Sequence, residues 1–366
     1  MFWNVILIAA FLCSVIFAGV LIPQILLIAF RKSLFDVPDE RKIHKALVPR
    51  LGGMAFAPVI LFTSTLLLGA TLVLGNKTYL VELLGEIEQI AFLICAVTML
   101  YLVGLADDLV GVKYRAKFIV QILCAVMFIA SGVYLQHFCG VAFCNEIHPI
   151  IGSLFTLLVI VFVINAINLI DGVDGLASGL SGVALLFYGI MFFMLGEYIY
   201  AVLAFSTLGA LVQFFYYNVF GKAENQKKIF MGDTGALTIG IVLSFLALKL
   251  CSHDRVEINN INPLVMAAAP LILPCFDVVR VFMGRIRRGN NPFLPDKTHI
   301  HHKLMAIGMS TRLTMITIII ISILFTTLNI VLSPYLNANL LLLLDVVVWV
   351  LFNMWLSRKI AAGQSK

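Results

Sequence analysis

Four groups of acidic, amide, basic and histidine residues interrupt an otherwise apolar chain, and together they carry donors suited to phosphate. Asp107 and Asp108 are adjacent carboxylates followed by Lys113, Arg115 and Lys117. Two neighbouring anions are tolerable where a cation sits between them. Successive helical residues point about 100° apart, so one carboxylate can face a metal while the other accepts a proton. Taken alone, this pair is equally well a solvated interfacial feature. Asn165, Asn168, Asp171 and Asp174 place four oxygen-bearing side chains within ten residues. Asn165 and Asn168 share a helical face, whereas Gly172 and Gly175 predict a helix break that frees backbone for a ligand. Polar packing between helices accounts poorly for so dense a group. Downstream, Gly175, Gly179 and Gly182 are spaced for close helix contact instead.

The third group, Phe230, Gly232 and Asp233, leads directly into an apolar run and puts Asp233 near a helix N-terminus, where capping alone would explain it. Asn218, Lys222, Lys227 and Lys228 lie just upstream. The fourth runs from Arg285, Arg287 and Arg288 through Asp296 and Lys297 to His299, His301 and His302. Three histidines in four residues suggest metal ligands, but a zinc site wants a further soft or nitrogen donor. The other groups offer carboxylates and amides, which favour Mg²⁺ or Mn²⁺. Histidines among so many cations read better as donors to phosphate. The inventory suits a diphosphate held by Mg²⁺, with basic groups neutralising charge and a carboxylate managing the nucleophile. No Walker-type glycine loop is present.

Membrane helices must position these groups. The chain is 61% hydrophobic and 12% charged, with a mean hydropathy of +1.05. About 20 apolar residues cross a bilayer core, and the pattern predicts spans near 3–29, 52–75, 89–105, 117–135, 149–168, 176–196, 198–217, 235–251, 263–283, 313–332 and 338–356. An odd number of spans puts the ends on opposite sides, and the basic loops place the N-terminus outside and the C-terminus in the cytoplasm. Of 25 lysines and arginines, 22 fall in every second loop, leaving Lys77, Lys249 and Arg255 opposite. The basic loops are cytoplasmic by the positive-inside rule, and all four polar groups sit at that face. The net charge of +6 thus belongs to membrane topology and anionic headgroups, not to nucleic acid. Residues 1–366 form one all-α polytopic domain without repeats. The first thirty residues lack a basic leader and a cleavage site and are expected to be a retained helix. Cys139 and Cys144 share the outside loop 136–148, where an oxidising compartment would allow a disulfide; the sequence leaves both states open.

At these residues the chain resembles the polyprenyl-phosphate N-acetylhexosamine-1-phosphate transferase family. The resemblance rests on Pro49-Arg50-Leu51-Gly52-Gly53 after Lys45, Asp107-Asp108 with Lys117, Asn165 through Asp174-Gly175, Met231-Gly232-Asp233, and His299-Ile300-His301-His302, in that order over most of the chain. It implies about eleven transmembrane helices in a bacterial cytoplasmic membrane and an active site facing the cytoplasm. The implied reaction moves a sugar-1-phosphate from a UDP-sugar to undecaprenyl phosphate and releases UMP. By the same resemblance, Asp233 and Asn168 contact Mg²⁺, with Mn²⁺ as the other candidate. Asp107 deprotonates or positions the lipid phosphate, supported by Asp108, and Lys117 draws on phosphate charge. Lys45, Asn165, Asp171, Asp174, Asn218 and Phe230 belong to the substrate pocket, Phe230 by stacking on uridine. His299, His301 and His302, with Arg285, grip the diphosphate or sugar. The arginine run and the interrupted histidines look like the branch using UDP-N-acetylglucosamine, which initiates cell-surface glycans; the muramyl-pentapeptide branch usually shows three consecutive histidines. A homodimer is compatible with this picture. A secondary transporter is the competing class, and it would gather polar residues near the midplane in inverted repeats.

Overall fold

The computed structural model describes residues 2–35, 48–75, 77–252, 260–289, 291 and 298–364. Among them the protein is an α-helical membrane protein without a strand. Its elements are α1 (Phe2–Arg31), α2 (Phe56–Val73), α3 (Thr78–Gly85), α4 (Ile87–Val110), α5 (Tyr114–Ala130), α6 (Pro149–Ile170) and α7 (Leu176–Leu195), followed by α8 (Tyr198–Phe215), α9 (Gly232–Cys251), α10 (Pro263–Ala268), α11 (Ile272–Arg287), α12 (Ile300–Ala306), α13 (Thr311–Leu332) and α14 (Ala338–Gln364). Ten helical segments of the described residues have the length and composition to cross a bilayer, counting α10 and α11 as one. Each predicted span overlaps a helix, the ninth overlapping both α10 and α11. The fourth, α5, has 17 residues, about 25 Å at ~1.5 Å per residue, and stops short of the predicted 135 where Gly132 takes a φ of +83°.

Two features depart from the predicted spans. The single run 263–283 is broken, because Pro270 and Pro274 remove backbone donors and a tight 3₁₀ turn at Ala269–Leu271 separates α10 from α11. In the predicted loop after α2, Thr78–Gly85 form α3, whose Glu82 accepts a hydrogen bond from the Ile199 backbone N–H at 2.9 Å. That contact satisfies a free donor at the start of α8.

Helix α9 is the axle. Every residue from Thr234 to Leu250 is buried, with α4, α6, α7, α10 and the turn Gly52–Ala55 packed around it. Without a hydrophobic force between helices in lipid, small residues allow the close approach that drives packing. A Cβ on Gly240 would lie 2.8 Å from Ile164 Cα, and one on Gly104 would lie 2.5 Å from Thr234 Cα. The hydroxyls of Thr238 and Ser244 are satisfied by donating to the carbonyls of Thr234 and Gly240 at 2.7 Å each. The glycine row after α6 packs as predicted, Gly175 against Met315 and Gly179 against Ile319 of α13. At the far end, no disulfide joins Cys139 to Cys144. That loop is tied by Asn262, which donates to the Cys139 carbonyl at 2.7 Å, and by Asn339, which donates to the Gly140 carbonyl and accepts from the Ala142 N–H.

Candidate active site

Where α4 ends and α5 and α9 begin, three charged side chains meet. The Lys117 Nζ lies 3.1 Å from Asp107 Oδ2 and 2.6 Å from Asp233 Oδ2. Local chemistry sets this up. Gly111, at a φ of +76°, turns the chain out of α4, and Asp107 Oδ1 accepts the Val112 N–H at 2.7 Å to fix that turn. Asp233 then sits in the first turn of α9, with its carboxylate at the positive end of the helix dipole.

Asp108 has a different task from its neighbour. Its Oδ1 accepts the Asp233 N–H at 2.8 Å, and its Oδ2 accepts the Thr234 N–H at 2.9 Å and the Thr234 hydroxyl at 2.5 Å. It caps α9 from another helix, supplying acceptors that the first helical turn lacks. Gly232 must be glycine here, because its φ is +71° and a Cβ would meet the Arg50 carbonyl at 2.2 Å and Asp108 Oδ2 at 2.5 Å. The segment around Arg50 is paired to the same turn: Phe230 N–H donates to the Pro49 carbonyl, Gly52 N–H to the Phe230 carbonyl and Gly53 N–H to the Met231 carbonyl, each at 2.9 Å.

The asparagine and aspartate group lies beside this junction. Helix α6 carries Asn165 and Asn168 and ends at Ile170, and α7 starts at Leu176, so the predicted break at the glycines is present. The Asn165 amide donates to Gln121 Oε1 and to the Val161 carbonyl at 2.7 Å each, tying α6 to α5. Asn168 is half-buried and makes no side-chain hydrogen bond among the described residues. Asn218, in a π-helical turn closing α8, accepts the Gly175 N–H at 2.6 Å and donates to the Ile229 carbonyl at 2.8 Å. It therefore clamps the loop wall, with both ends of its amide on backbone. Asp174 pairs with Lys228 at 2.6 Å, and Phe230 is half-buried beside it in sequence.

The histidine segment closes the other side. A Cβ on Gly172 would lie 2.8 Å from His301 Nε2, so this imidazole rests on the Asp171 loop. The rings of His299 and His301 are parallel with centroids 5.7 Å apart, and His302 lies 4.2 Å from His301. Burial, with His302 and His299 adding charge, lowers His301 to about 3 and keeps it neutral. Arg285 is 6% exposed in the last turn of α11. Lys45, Asp296 and Lys297 lie outside the described residues.

Asp277, its partner Arg280, and Gln121 were not among the predicted site residues. Asp277 of α11, with no exposed surface, accepts from Arg280 Nη2 at 2.6 Å, from the Ile300 N–H at 3.0 Å and from His299 Nδ1 at 2.8 Å. Its signal was available: a carboxylate inside an apolar span is a functional candidate, with Arg280 three residues on. Gln121, the partner of Asn165, carried the same kind of signal.

Asp171 shows how much negative charge converges. It is open to solvent on one side, but the surrounding protein, then the charge of Asp174, pushes its carboxyl up to about 7, with Arg50 opposing and Asp233 and Asp108 adding. A bound cation would relieve this excess, and the oxygen-rich donors fit Mg²⁺ better than zinc. Among the described residues no three His, Cys, Asp or Glu groups converge to hold a metal ion. The raised value has a sign. From about pH 4 to 7, folded Asp171 keeps a proton that the unfolded chain has released, so stability falls as pH rises through that window and levels above it. Thermal unfolding in EDTA between pH 5 and 8 will show a slope of this sign, and Asp171→Asn will lessen it by the share that Asp171 carries; an unaltered slope would assign it to other groups.

Comparison with known proteins gives a consistent result. Residues 90–251 match the model of glycosyl transferase family 4. The chain is 29% identical to the Bacillus subtilis (strain 168) protein named probable undecaprenyl-phosphate N-acetylglucosaminyl 1-phosphate transferase, over 89% of this chain and 85% of that one. It is 28% identical to the Yersinia pestis undecaprenyl-phosphate alpha-N-acetylglucosaminyl 1-phosphate transferase, over 83% and 78%. For the Haemophilus influenzae (strain ATCC 51907 / DSM 11121 / KW20 / Rd) protein of the same name, identity is 29% over 82% and 80%.

Proposed function

From a chain that matches glycosyl transferase family 4 over residues 90–251 and resembles polyprenyl-phosphate sugar-1-phosphate transferases along most of its length, we propose transfer of N-acetylglucosamine-1-phosphate from UDP-N-acetylglucosamine to undecaprenyl phosphate, with release of UMP. The observation that supports it most is Lys117 bridging Asp107 and Asp233 at one junction of helix ends. An oxygen of the lipid phosphate attacks the β-phosphorus of the donor, a new phosphoanhydride forms, and the bond to the UMP oxygen breaks. One anhydride replaces another, so the exchange is nearly isoenergetic and catalysis is mostly positioning and charge neutralisation.

In this reading Asp107 orients the lipid phosphate, and Lys117 neutralises charge that shifts from nucleophile to leaving group. Asp108 holds the first turn of α9, and with it Asp233, in register. Asp233 and Asn168 would hold Mg²⁺, which when bound supplies Lewis-acid stabilisation of the diphosphate oxygens. Asp171 and Asp174, with Phe230, face the nucleoside, and the histidine segment and Arg285 hold the diphosphate or sugar. The basic loops support a site facing the cytoplasm of a bacterial inner membrane. The polar groups lie at helix ends and not at mid-helix, which weighs against a transporter.

Incubating purified protein in detergent with labelled UDP-N-acetylglucosamine and undecaprenyl phosphate tests this. Mg²⁺ should give a lipid-linked product and one UMP per transfer, and EDTA should abolish both. Turnover only with another UDP-N-acetylhexosamine would move the sugar assignment, and silence with every UDP-sugar would remove the reaction.

A further inference from the structure

The histidine segment is aimed by a carboxylate that the proposed reaction does not use. Asp277 is wholly buried, and three donors converge on its two oxygens: Arg280 Nη2 at 2.6 Å, Ile300 N–H at 3.0 Å and His299 Nδ1 at 2.8 Å. Arg280 Nη2 also donates to the Thr298 carbonyl at 2.7 Å, so backbone on both sides of His299 is tied to the same pair. An ionised carboxylate only accepts hydrogen bonds, and a guanidinium in contact with it keeps it ionised. The proton of His299 must therefore sit on Nδ1. That leaves Nε2 as its uncommitted ring nitrogen, in a ring held parallel to His301 at 5.7 Å.

We infer that Asp277 is a positioning residue of the transfer site: it fixes His299 with Nδ1 protonated and so presents Nε2 to the phosphate-bearing substrate. As imidazolium, His299 donates from Nε2 to an anionic oxygen; as neutral imidazole, it accepts a proton there. Either way the tautomer is dictated from α11, across residues that include the described Arg285 and Thr298. The orientation of a ring by a carboxylate on its other nitrogen is a general device, and here the carboxylate also anchors the start of α12 through Ile300.

The kinetic arm of the test rests on the proposed reaction, and the spectroscopic arm does not. In full-length protein with ¹⁵N-labelled histidine in detergent, the His299 signals, identified by their loss in His299→Gln, should show a protonated Nδ1 at pH 7.5. Asp277→Asn should shift them to the Nε2–H form, since the amide N–H₂ now donates to Nδ1. An Nε2–H tautomer in the unsubstituted protein overturns the inference, whether or not any variant folds. In transfer assays Asp277→Asn and His299→Gln should each lower kcat about 10²-fold, and the double variant should fall no further than the weaker single one. Losses that multiply would mean that Asp277 does not act through His299. Absence of transfer by the unsubstituted protein would count against the reaction and leave the tautomer to decide the role of Asp277.

Discussion

Replacing Asp233 with asparagine is expected to lower transfer on the order of 10³-fold or more, with the protein still folded. A single preorganised electrostatic contact to developing charge contributes about 10²–10³ in rate, and Asp233 is proposed to supply two such effects. By that proposal it would hold the metal, and it places Lys117, whose Nζ lies at 2.6 Å. In the variant, Lys117 keeps Asp107 at 3.1 Å and relaxes toward it, so lysine and lipid phosphate lose register together. Asp107→Asn should be comparably damaging by the opposite route, leaving Lys117 on Asp233. Both variants keep the backbone N–H groups of α9 capped by Asp108, so size-exclusion behaviour and thermal unfolding should stay near those of the parent. Activity surviving both substitutions would remove the catalytic assignment of this junction.

Gly53→Ala should damage both folding and transfer, although residue 53 bears no reactive group. A Cβ there would lie 2.0 Å from the Gly235 nitrogen and 2.2 Å from its Cα. Both are backbone of α9 and cannot rotate aside, so the turn Gly52–Ala55 and α9 must move apart. Overpacking of this kind costs about 1–3 kcal/mol, occasionally more. The separation also carries Asp233, two residues from Gly235, away from Lys117. Misplacement by about 1 Å can cost on the order of 10² in rate, and that loss should appear even under conditions where the variant is fully folded. Gly69→Ala is the matched control, since nothing lies within 4 Å of a Cβ there. Its rate should match the parent and its thermal midpoint should match or slightly exceed it, because alanine narrows the unfolded ensemble; equal losses in both variants would mean that the clash with α9 is not the cause.

Much of this was written in the residue pattern. The apolar runs and the glycines after Asp171 announce helices and the break between α6 and α7, because each is a local or periodic property. The grouping of the polar residues was also legible, since they fall at corresponding ends of the apolar runs. What stayed hidden required partners far along the chain. Asp107 and Asp108 look alike in sequence, yet one faces Lys117 and the other caps a helix 125 residues later. Asn218 reads as a ligand group, but its amide joins two backbone segments. Asp277 was absorbed into an apolar span, and only the return of the chain to His299 gives it a purpose. The division of α10 from α11 was announced by two prolines, but hydropathy averages across them.

The enclosure of α9 also bears on how the protein is made. Synthesis runs from the N-terminus, so α4, α6 and α7 have emerged when α9 arrives, and α10 follows it. A chain halted before residue 263 would hold Asp107, Asp108, Asp171, Asp174 and Asp233 and still leave one flank of α9 facing lipid, with Thr238, Ser244 and Lys249 on a helix otherwise walled in on all sides. The carboxylates are thus delivered before the enclosure of α9 is complete. The last of those walls in chain order is a short, proline-started helix capped by Asn262, a segment that contributes no reactive group.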